Sequence, residues 1–132
     1  MVVVDASAIL AVVFDESPAE EAAALLELIM RDGALVPALW DLEVGNALLS
    51  AERRGRLSAA DTDRALNLLA GLPVELAEID PSMPTLLACA RQYGLTTYDA
   101  AYLLLAMQGG LALATRDARL AEAASSAGVP LV

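Results

Sequence analysis

The sequence predicts an α/β domain with a mostly parallel sheet of about five strands and helices on both faces. Short aliphatic runs alternate with longer runs that carry helix caps and helix stops, which is the pattern of parallel strands joined by helical crossovers. The composition is 58% hydrophobic but only 4% aromatic, as expected where small side chains pack at helix contacts. With 132 residues and no linker, repeat or low-complexity segment, residues 1–132 are expected to form one domain.

The first element is a run of three valines. Val2, Val3 and Val4 predict a strand that is buried on both faces, and the apolar residues 8–14 predict a buried helix after it. Asp5 therefore stands where a central strand ends and a helix begins. Open α/β sheets bind ligands at that edge.

The remaining elements follow from caps, stops and apolar runs. Ser17 and Pro18 suit the N-cap and the first position of a helix, which is expected to stop at Gly33. Three strands are expected inside the chain after it, at 34–36, at 74–77 as an edge strand and at 111–115, and a terminal strand is expected at 129–132. The expected helices run from about 38 to 54, from Ser58 until Gly71-Leu72-Pro73 ends it, from Pro81 or Ser82 to Tyr93, from a cap at Thr96 or Thr97 to a stop at Gly109-Gly110, and from Asp117 to about Ser126.

Missing residue types exclude several kinds of chemistry. The chain has no His and no Lys, so all eight of its bases are Arg. This excludes Ser-His-Asp and Cys-His hydrolysis, His-ligated zinc, Schiff-base lysine chemistry and a Walker A phosphate loop. Cys89 is the only cysteine and cannot form an internal disulfide. Catalysis by carboxylates and a metal ion remains.

The chain is expected to be a cytoplasmic protein without a membrane segment. No apolar run approaches the roughly 18–20 residues that span a bilayer. The N-terminus has no basic region of the kind that opens a signal peptide, and Asp5 interrupts its apolar stretch.

Four acids are expected at one edge of the sheet. Asp5 and Asp117 follow strands directly, while Glu43 and Asp99 lie near the starts of helices. If the first and fourth strands are neighbours, Asp5 and Asp117 meet. Close carboxylates need a counter-charge to stay ionised, and an oxygen-only ligand set suits Mg²⁺ or Mn²⁺.

Each acid also has a purely structural interpretation. Asp5 and Asp117 could cap helices, and Asp99 could be a first-turn acid that the helix dipole favours. Glu43 has the weakest structural explanation, because it lies in an otherwise apolar run. The four acids together are more specific than any one of them.

Four sequence blocks resemble the PIN-domain family, and specifically VapC-type toxins of toxin–antitoxin pairs. They come in the family's order and spacing and span nearly the whole chain. The blocks are Val2-Val3-Val4-Asp5-Ala6-Ser7-Ala8-Ile9-Leu10, the run from Pro37 through Glu43-Val44-Gly45-Asn46-Ala47-Leu48, Thr97-Tyr98-Asp99-Ala100-Ala101-Tyr102, and Leu113-Ala114-Thr115-Arg116-Asp117.

The resemblance implies a Mg²⁺-dependent endoribonuclease, with Mn²⁺ as a possible substitute, that hydrolyses RNA phosphodiester bonds. It implies that Asp5, Glu43, Asp99 and Asp117 form the catalytic and metal-binding set. It also implies polar support for that set from Ser7, Asn46 and Thr115. The last block is the family's most variable.

Binding of RNA poses an electrostatic difficulty. The net charge is −10, whereas affinity for RNA normally comes from Lys and Arg contacts to phosphates. Arg54 lies eleven positions after Glu43, about three helical turns and roughly 16 Å along the same face. Arg54 is therefore a candidate phosphate contact, although it could also be a solvated residue at a helix end. Arg116, which stands beside Asp117, is the second candidate.

The resemblance also implies a homodimer and a small VapB-type antitoxin partner in an apolar groove. The candidate walls of that groove are the first two helices and the long helix that bears Trp40, which could instead be a core residue. The main alternative function is a PIN domain that binds RNA or protein without catalysis. A receiver-like domain needs a Lys near its acids, and a haloacid-dehalogenase-type phosphatase needs an Asp where this chain has Ser7.

Overall fold

The computed structural model describes residues 1–132 as a four-stranded parallel sheet with seven helices. All seven predicted helices and the first four predicted strands are present, with bounds that differ from the prediction by at most two residues. The elements are β1 (Val2–Val4), α1 (Ala6–Val13), α2 (Ala19–Asp32), β2 (Ala34–Val36), α3 (Leu39–Arg53), α4 (Ala59–Ala70), β3 (Val74–Leu76), α5 (Met83–Tyr93), α6 (Thr97–Gly109), β4 (Ala112–Ala114) and α7 (Ala118–Ser126).

The strand order is β3-β2-β1-β4, and every pair is parallel. Strand β1 is internal, as its three valines predict, and these side chains are 0–2% exposed. Val4 pairs with Ala114, which aligns the carboxyl ends of β1 and β4. The expectation that the first and fourth strands are neighbours is therefore confirmed.

The predicted fifth strand is wrong. The C-terminal residues form only an isolated parallel bridge between Leu113 and Leu131. Leu113 donates to Pro130 and Val132 donates to Leu113. Pro130 has no N–H to donate, so the pairing does not extend into a ladder on the side that precedes the bridge.

The start of α2 is also corrected. Pro18, not Ser17, occupies the N-cap position, and no side chain caps this helix. At its other end Gly33 stops the helix as predicted, with a φ of 78°. A left-handed φ is strained for residues with a side chain but open to glycine.

The connections divide the helices into two layers. The chain moves from β1 to β2 to β3 in one direction, and then crosses back over β2 and β1 to reach β4. Because parallel crossovers are right-handed, α1–α4 cover one face and α5–α7 cover the other. The loops that follow β1 and β4 therefore leave toward opposite faces. A crevice at such a switch point is the usual ligand site of an open α/β sheet.

The core lies on both sides of β1. Trp40 belongs to this core at 6% exposure, and its indole N–H is the one buried side-chain donor without an acceptor. Full burial of a side chain such as Ile9 or Leu103 contributes about 1.5–3 kcal/mol, so the sheet edge is held by a well-packed interior. None of the helices combines the length and apolar character needed to cross a lipid bilayer.

Candidate active site

Asp5 is the anchor of the acidic edge. It is 3% exposed and is the only charged residue in the buried set. Its Oδ1 accepts hydrogen bonds from Ser7 Oγ at 2.6 Å and from the Ala8 N–H at 3.0 Å, while its Oδ2 accepts one from Thr115 Oγ1 at 2.7 Å. The bond to Ala8 makes Asp5 the N-cap of α1. The structural interpretation as a cap is thus correct, and it also fixes the carboxylate at the end of β1.

Ser7 and Thr115 tie this carboxylate to the loop after β4. Each hydroxyl donates to Asp5 and accepts a backbone N–H, with Arg116 donating to Ser7 at 2.9 Å and Asp117 donating to Thr115 at 3.0 Å. The two hydroxyl oxygens are 3.4 Å apart. Two of the three predicted supporting residues therefore contact Asp5 directly.

Asp117 caps α7, as its structural interpretation proposes. Its Oδ1 accepts the Leu120 N–H at 2.8 Å, and its Oδ2 makes no hydrogen bond. The charge of Asp117 nevertheless raises the pKa values of Asp5 and Asp99. Asp117 therefore caps α7 and also lies near the other acids.

Glu43 and Asp99 approach from helices in opposite layers. Glu43 lies on α3, and its Oε1 accepts a hydrogen bond from the Tyr102 hydroxyl at 2.8 Å. Asp99 lies in the first turn of α6, where its backbone N–H donates to the capping Thr96 Oγ1 at 3.1 Å. Both carboxylates are partly buried.

Burial leaves this set of carboxylates with uncompensated negative charge. It is the main cause that raises the pKa of Asp5, against the hydrogen bonds from Ser7, Thr115 and Ala8. Burial likewise raises the pKa values of Glu43 and Asp99, and repulsion from neighbouring acids adds to it. The four ion pairs of the chain involve none of these acids. The set therefore favours a cation, and its oxygen-only donors suit a hard divalent one.

The acids lie at one edge but do not surround one point. No three acidic or cysteine side chains are close enough to hold a metal ion between them. Asn46, the third predicted supporting residue, is exposed on α3 and makes no side-chain hydrogen bond. The structure thus brings together Asp5, Ser7, Thr115 and Asp117, with Glu43 and Asp99 beside them and Asn46 outside the hydrogen-bond network.

The two candidate RNA-binding arginines differ. Arg54 is the exposed C-cap of α3 and forms no ion pair. The guanidinium of Arg116 donates to Glu21 on α2 at 2.6 Å. Nearby Arg56 pairs with Glu16 and lies over the Phe14 ring at 4.8 Å. Arg54 is therefore the more available cation.

The expected apolar groove is split into two. One groove, of about 290 Å³, lies between α1, α2 and the end of β4, with Glu21 and Arg116 in its wall. Another, of about 550 Å³, lies between α3, α4 and β3, and Trp40 lines it. The first two helices and the helix of Trp40 do not share a groove, because Trp40 packs toward α4.

Sequence reasoning missed the role of Tyr102. This tyrosine is 1% exposed and provides the only hydrogen bond to the Glu43 carboxylate. A signal was present: Tyr102 lies three residues after Asp99, one turn along the same helix, and is the one hydroxyl in an apolar run. A buried tyrosine hydroxyl needs a polar partner, but the sequence does not say which.

Comparisons with known proteins match most of the chain. The family model described as "PIN domain" matches residues 2–125. A VapC ribonuclease of Mycobacterium bovis is 34% identical over 122 residues, covering 92% of this chain and 90% of the relative. Ribonuclease VapC3 of Mycobacterium tuberculosis is 38% identical over 126 residues, covering 96% and 89%.

A solved structure has the same fold. The crystal structure of PAE2754 from Pyrobaculum aerophilum superposes with a TM-score of 0.72 at 31% sequence identity. The match covers 92% of this chain and 82% of that one.

Proposed function

This chain belongs to the PIN-domain family, and from that membership we propose that it is a metal-dependent endoribonuclease that acts as the toxin of a type II toxin–antitoxin pair. The relatives named VapC ribonuclease support the choice of RNA as substrate. The observation that carries the proposal is the edge formed by Asp5, Glu43, Asp99 and Asp117, of which Asp5 is buried and the others partly buried. Burial raises the pKa values of three of these acids, and none of the four has an arginine partner.

Mg²⁺, or Mn²⁺ in its place, is the proposed cofactor. Asp5, Glu43, Asp99 and Asp117 would hold it, because carboxylate oxygens are the ligands such ions prefer. When bound, the ion supplies Lewis-acid stabilisation of the charge on the phosphate and activation of water. The chain has no imidazole to act as general base.

The protein's own contribution is orientation of the acids and of the RNA. Ser7 and Thr115 fix both oxygens of Asp5 through hydrogen bonds, as groups behind a metal ligand commonly do. Arg54 is proposed to contact a phosphate at a distance from the acids. Arg116 can do so only after its ion pair with Glu21 opens.

The partners proposed are RNA, a VapB-type antitoxin and a second copy of the chain. Several large apolar side chains are more than half exposed, which supports association through surfaces that remain open in one copy. They include Leu42, Ile79 and Met83, at 76%, 83% and 73% exposure. Because a ribonuclease toxin acts where RNA is, the proposed location is the cytoplasm.

A non-catalytic PIN domain is the second candidate. The observation that favours it is the failure of three acids to converge on one point.

Cleavage of a circular single-stranded RNA tests the proposal. An endonuclease linearises the circle with Mg²⁺ or Mn²⁺ and stops in EDTA, whereas an exonuclease leaves the circle intact. Asp5→Asn is expected to lower the cleavage rate more than about 100-fold, beyond the 10–100-fold typical of supporting groups. Asp63→Asn, an exposed site on α4, is the matched control. Cleavage that persists in Asp5→Asn would assign the activity to a contaminant, and absence of metal binding by the wild type would leave the binding module as the function.

A further inference from the structure

Tyr102 connects the two helical layers at the carboxyl edge of the sheet. It lies in the second turn of α6, while its hydrogen-bond acceptor, Glu43, lies on α3 in the opposite layer. This is the only side-chain hydrogen bond between those two helices. Tyr102 is also among the largest side chains that are fully buried, so the ring itself is held in place by the core.

The bond leaves one oxygen of Glu43 available. The hydroxyl occupies Oε1, and Oε2 accepts no hydrogen bond. A tyrosine hydroxyl keeps its proton throughout the neutral range, because a phenol ordinarily titrates at about pH 10, so Tyr102 acts as the donor. An ionised carboxylate can only accept hydrogen bonds, and the direction of this bond is therefore fixed.

Hydroxyl donors hold Asp5 in the same way. Ser7 and Thr115 donate to Asp5 from one side of the edge, and Tyr102 donates to Glu43 from the other. A long glutamate side chain has several rotatable bonds, and confining it costs conformational entropy. Because the Tyr102 ring is held rigidly, the Glu43 side chain is already confined in the folded protein, and its entropy is not lost again when a cation binds.

We propose that Tyr102 is a positioning residue: it holds the Glu43 carboxylate beside Asp99 and Asp5, with Oε2 left available to a divalent cation. This inference rests on the proposed function and deepens it. Tyr102 itself touches neither the cation nor the RNA.

Affinity for Mn²⁺, measured by titration calorimetry without RNA, tests the inference. Tyr102→Phe removes one oxygen atom and keeps the ring, and it is expected to raise the Kd for Mn²⁺ about tenfold, at the lower end of the effects of groups behind a metal ligand. Tyr93→Phe is the matched control, because Tyr93 packs against the core but its hydroxyl makes no hydrogen bond. It is expected to leave the Kd unchanged.

A double-mutant cycle separates positioning from general stability. In the Glu43→Ala background, Tyr102→Phe is expected to change the Kd less than twofold, because the carboxylate it positions is gone. An equal loss in both backgrounds would show that the hydroxyl acts on the fold and would overturn the inference. If Tyr102→Phe does not fold, the Tyr102 hydroxyl proton, observed by NMR in the wild type, must shift in Glu43→Gln; no shift would overturn the inference.

RNA cleavage distinguishes failure of the inference from failure of the proposed function. Tyr102→Phe should lower kcat with little change in KM for RNA. A wild type that binds Mn²⁺ and cleaves RNA, with Tyr102→Phe equal to it, would overturn the positioning role alone. A wild type that neither binds Mn²⁺ nor cleaves RNA would overturn the proposed function and this inference with it.

Discussion

The acids at the ends of strands and the acids on helices are held in different ways. Asp5 accepts three hydrogen bonds from its own turn and the neighbouring strand end, whereas Glu43 accepts one, from a distant helix. The strand-end acids are fixed by backbone that the sheet aligns. The helix-borne acids reach the same edge through longer or more exposed side chains. The strand half of the site, Asp5 and Asp117, therefore sets where the site is. The helix half, Glu43 and Asp99, adds carboxylates to the proposed cation site from both helical layers.

The two halves also differ in the free energy that burial of their charged carboxylates costs. Asp5 is nearly fully buried, and burial raises its pKa even with three donors present. Burying a charge costs free energy unless it is paired, and no arginine pairs with Asp5. A bound cation would stabilise this half most, so changes around Asp5 are expected to have the largest effects.

Among these changes, removal of the Thr115 hydroxyl is expected to have the largest effect, because it removes one of the hydrogen bonds that hold Asp5. Thr115→Val keeps the shape but deletes the donor to Asp5 Oδ2 and the acceptor of the Asp117 N–H. The affinity for Mn²⁺ should fall about 10–100-fold, and the free energy of unfolding by roughly 1–3 kcal/mol. Calorimetry and thermal unfolding measure these, with exposed Thr85→Val as control. Unchanged affinity would show that Asp5 is held well enough by Ser7 and Ala8.

Asp117 allows its two roles to be separated. Asn is among the best N-caps, so Asp117→Asn should keep the bond to Leu120 and the melting temperature while removing the charge. Metal-dependent RNA cleavage is expected to fall about tenfold. Asp117→Ala should also lose about 1 kcal/mol of stability. Wild-type cleavage by Asp117→Asn would leave Asp117 as a cap alone.

The pH dependence of stability tests the cost of the buried carboxylate. Because the pKa of Asp5 is raised from its ordinary value of 3.8, the folded state binds more protons than the unfolded state above that pH. Stability is therefore expected to fall as pH rises from about 4 toward neutral. Without divalent metal, Asp5→Asn should be more stable than the wild type at pH 7 by about 1 kcal/mol, and the gain should shrink as pH falls. Thermal unfolding in EDTA across this range would contradict the prediction if the gain were constant.

The smallest effect, on RNA affinity, is expected at Arg54, which lies away from the four acids. Arg54→Ala should weaken RNA binding a few-fold at low salt, and reduce the salt slope by about 0.7, the value for one phosphate contact on a single strand. Arg91→Ala, another exposed arginine without an ion pair, is the control. If affinity and its salt dependence do not change in Arg54→Ala, the proposed contact between Arg54 and an RNA phosphate is wrong.

Much of the fold is local and could be predicted from the sequence. Three consecutive valines predict a strand that is buried on both faces, and β1 is such a strand. Gly33 ends α2 through its left-handed backbone conformation, and Ser58 begins α4 through its side-chain hydrogen bond. The terminal strand could not be predicted correctly. Its apolar residues suit a strand, but Pro130 lacks the N–H that a ladder needs, and only an isolated bridge forms.

In the candidate site, too, the local features could be predicted and the long-range contacts could not. The sequence alone determined which acids are available, because strand ends and helix starts are local features and parallel strands bring their carboxyl ends to one edge. Only the tertiary structure decided that Tyr102 holds Glu43, that Glu21 holds Arg116, and that Asn46 stands outside the network. Those contacts join residues 59 and 95 positions apart, and such pairings depend on how the layers pack, which no local pattern encodes.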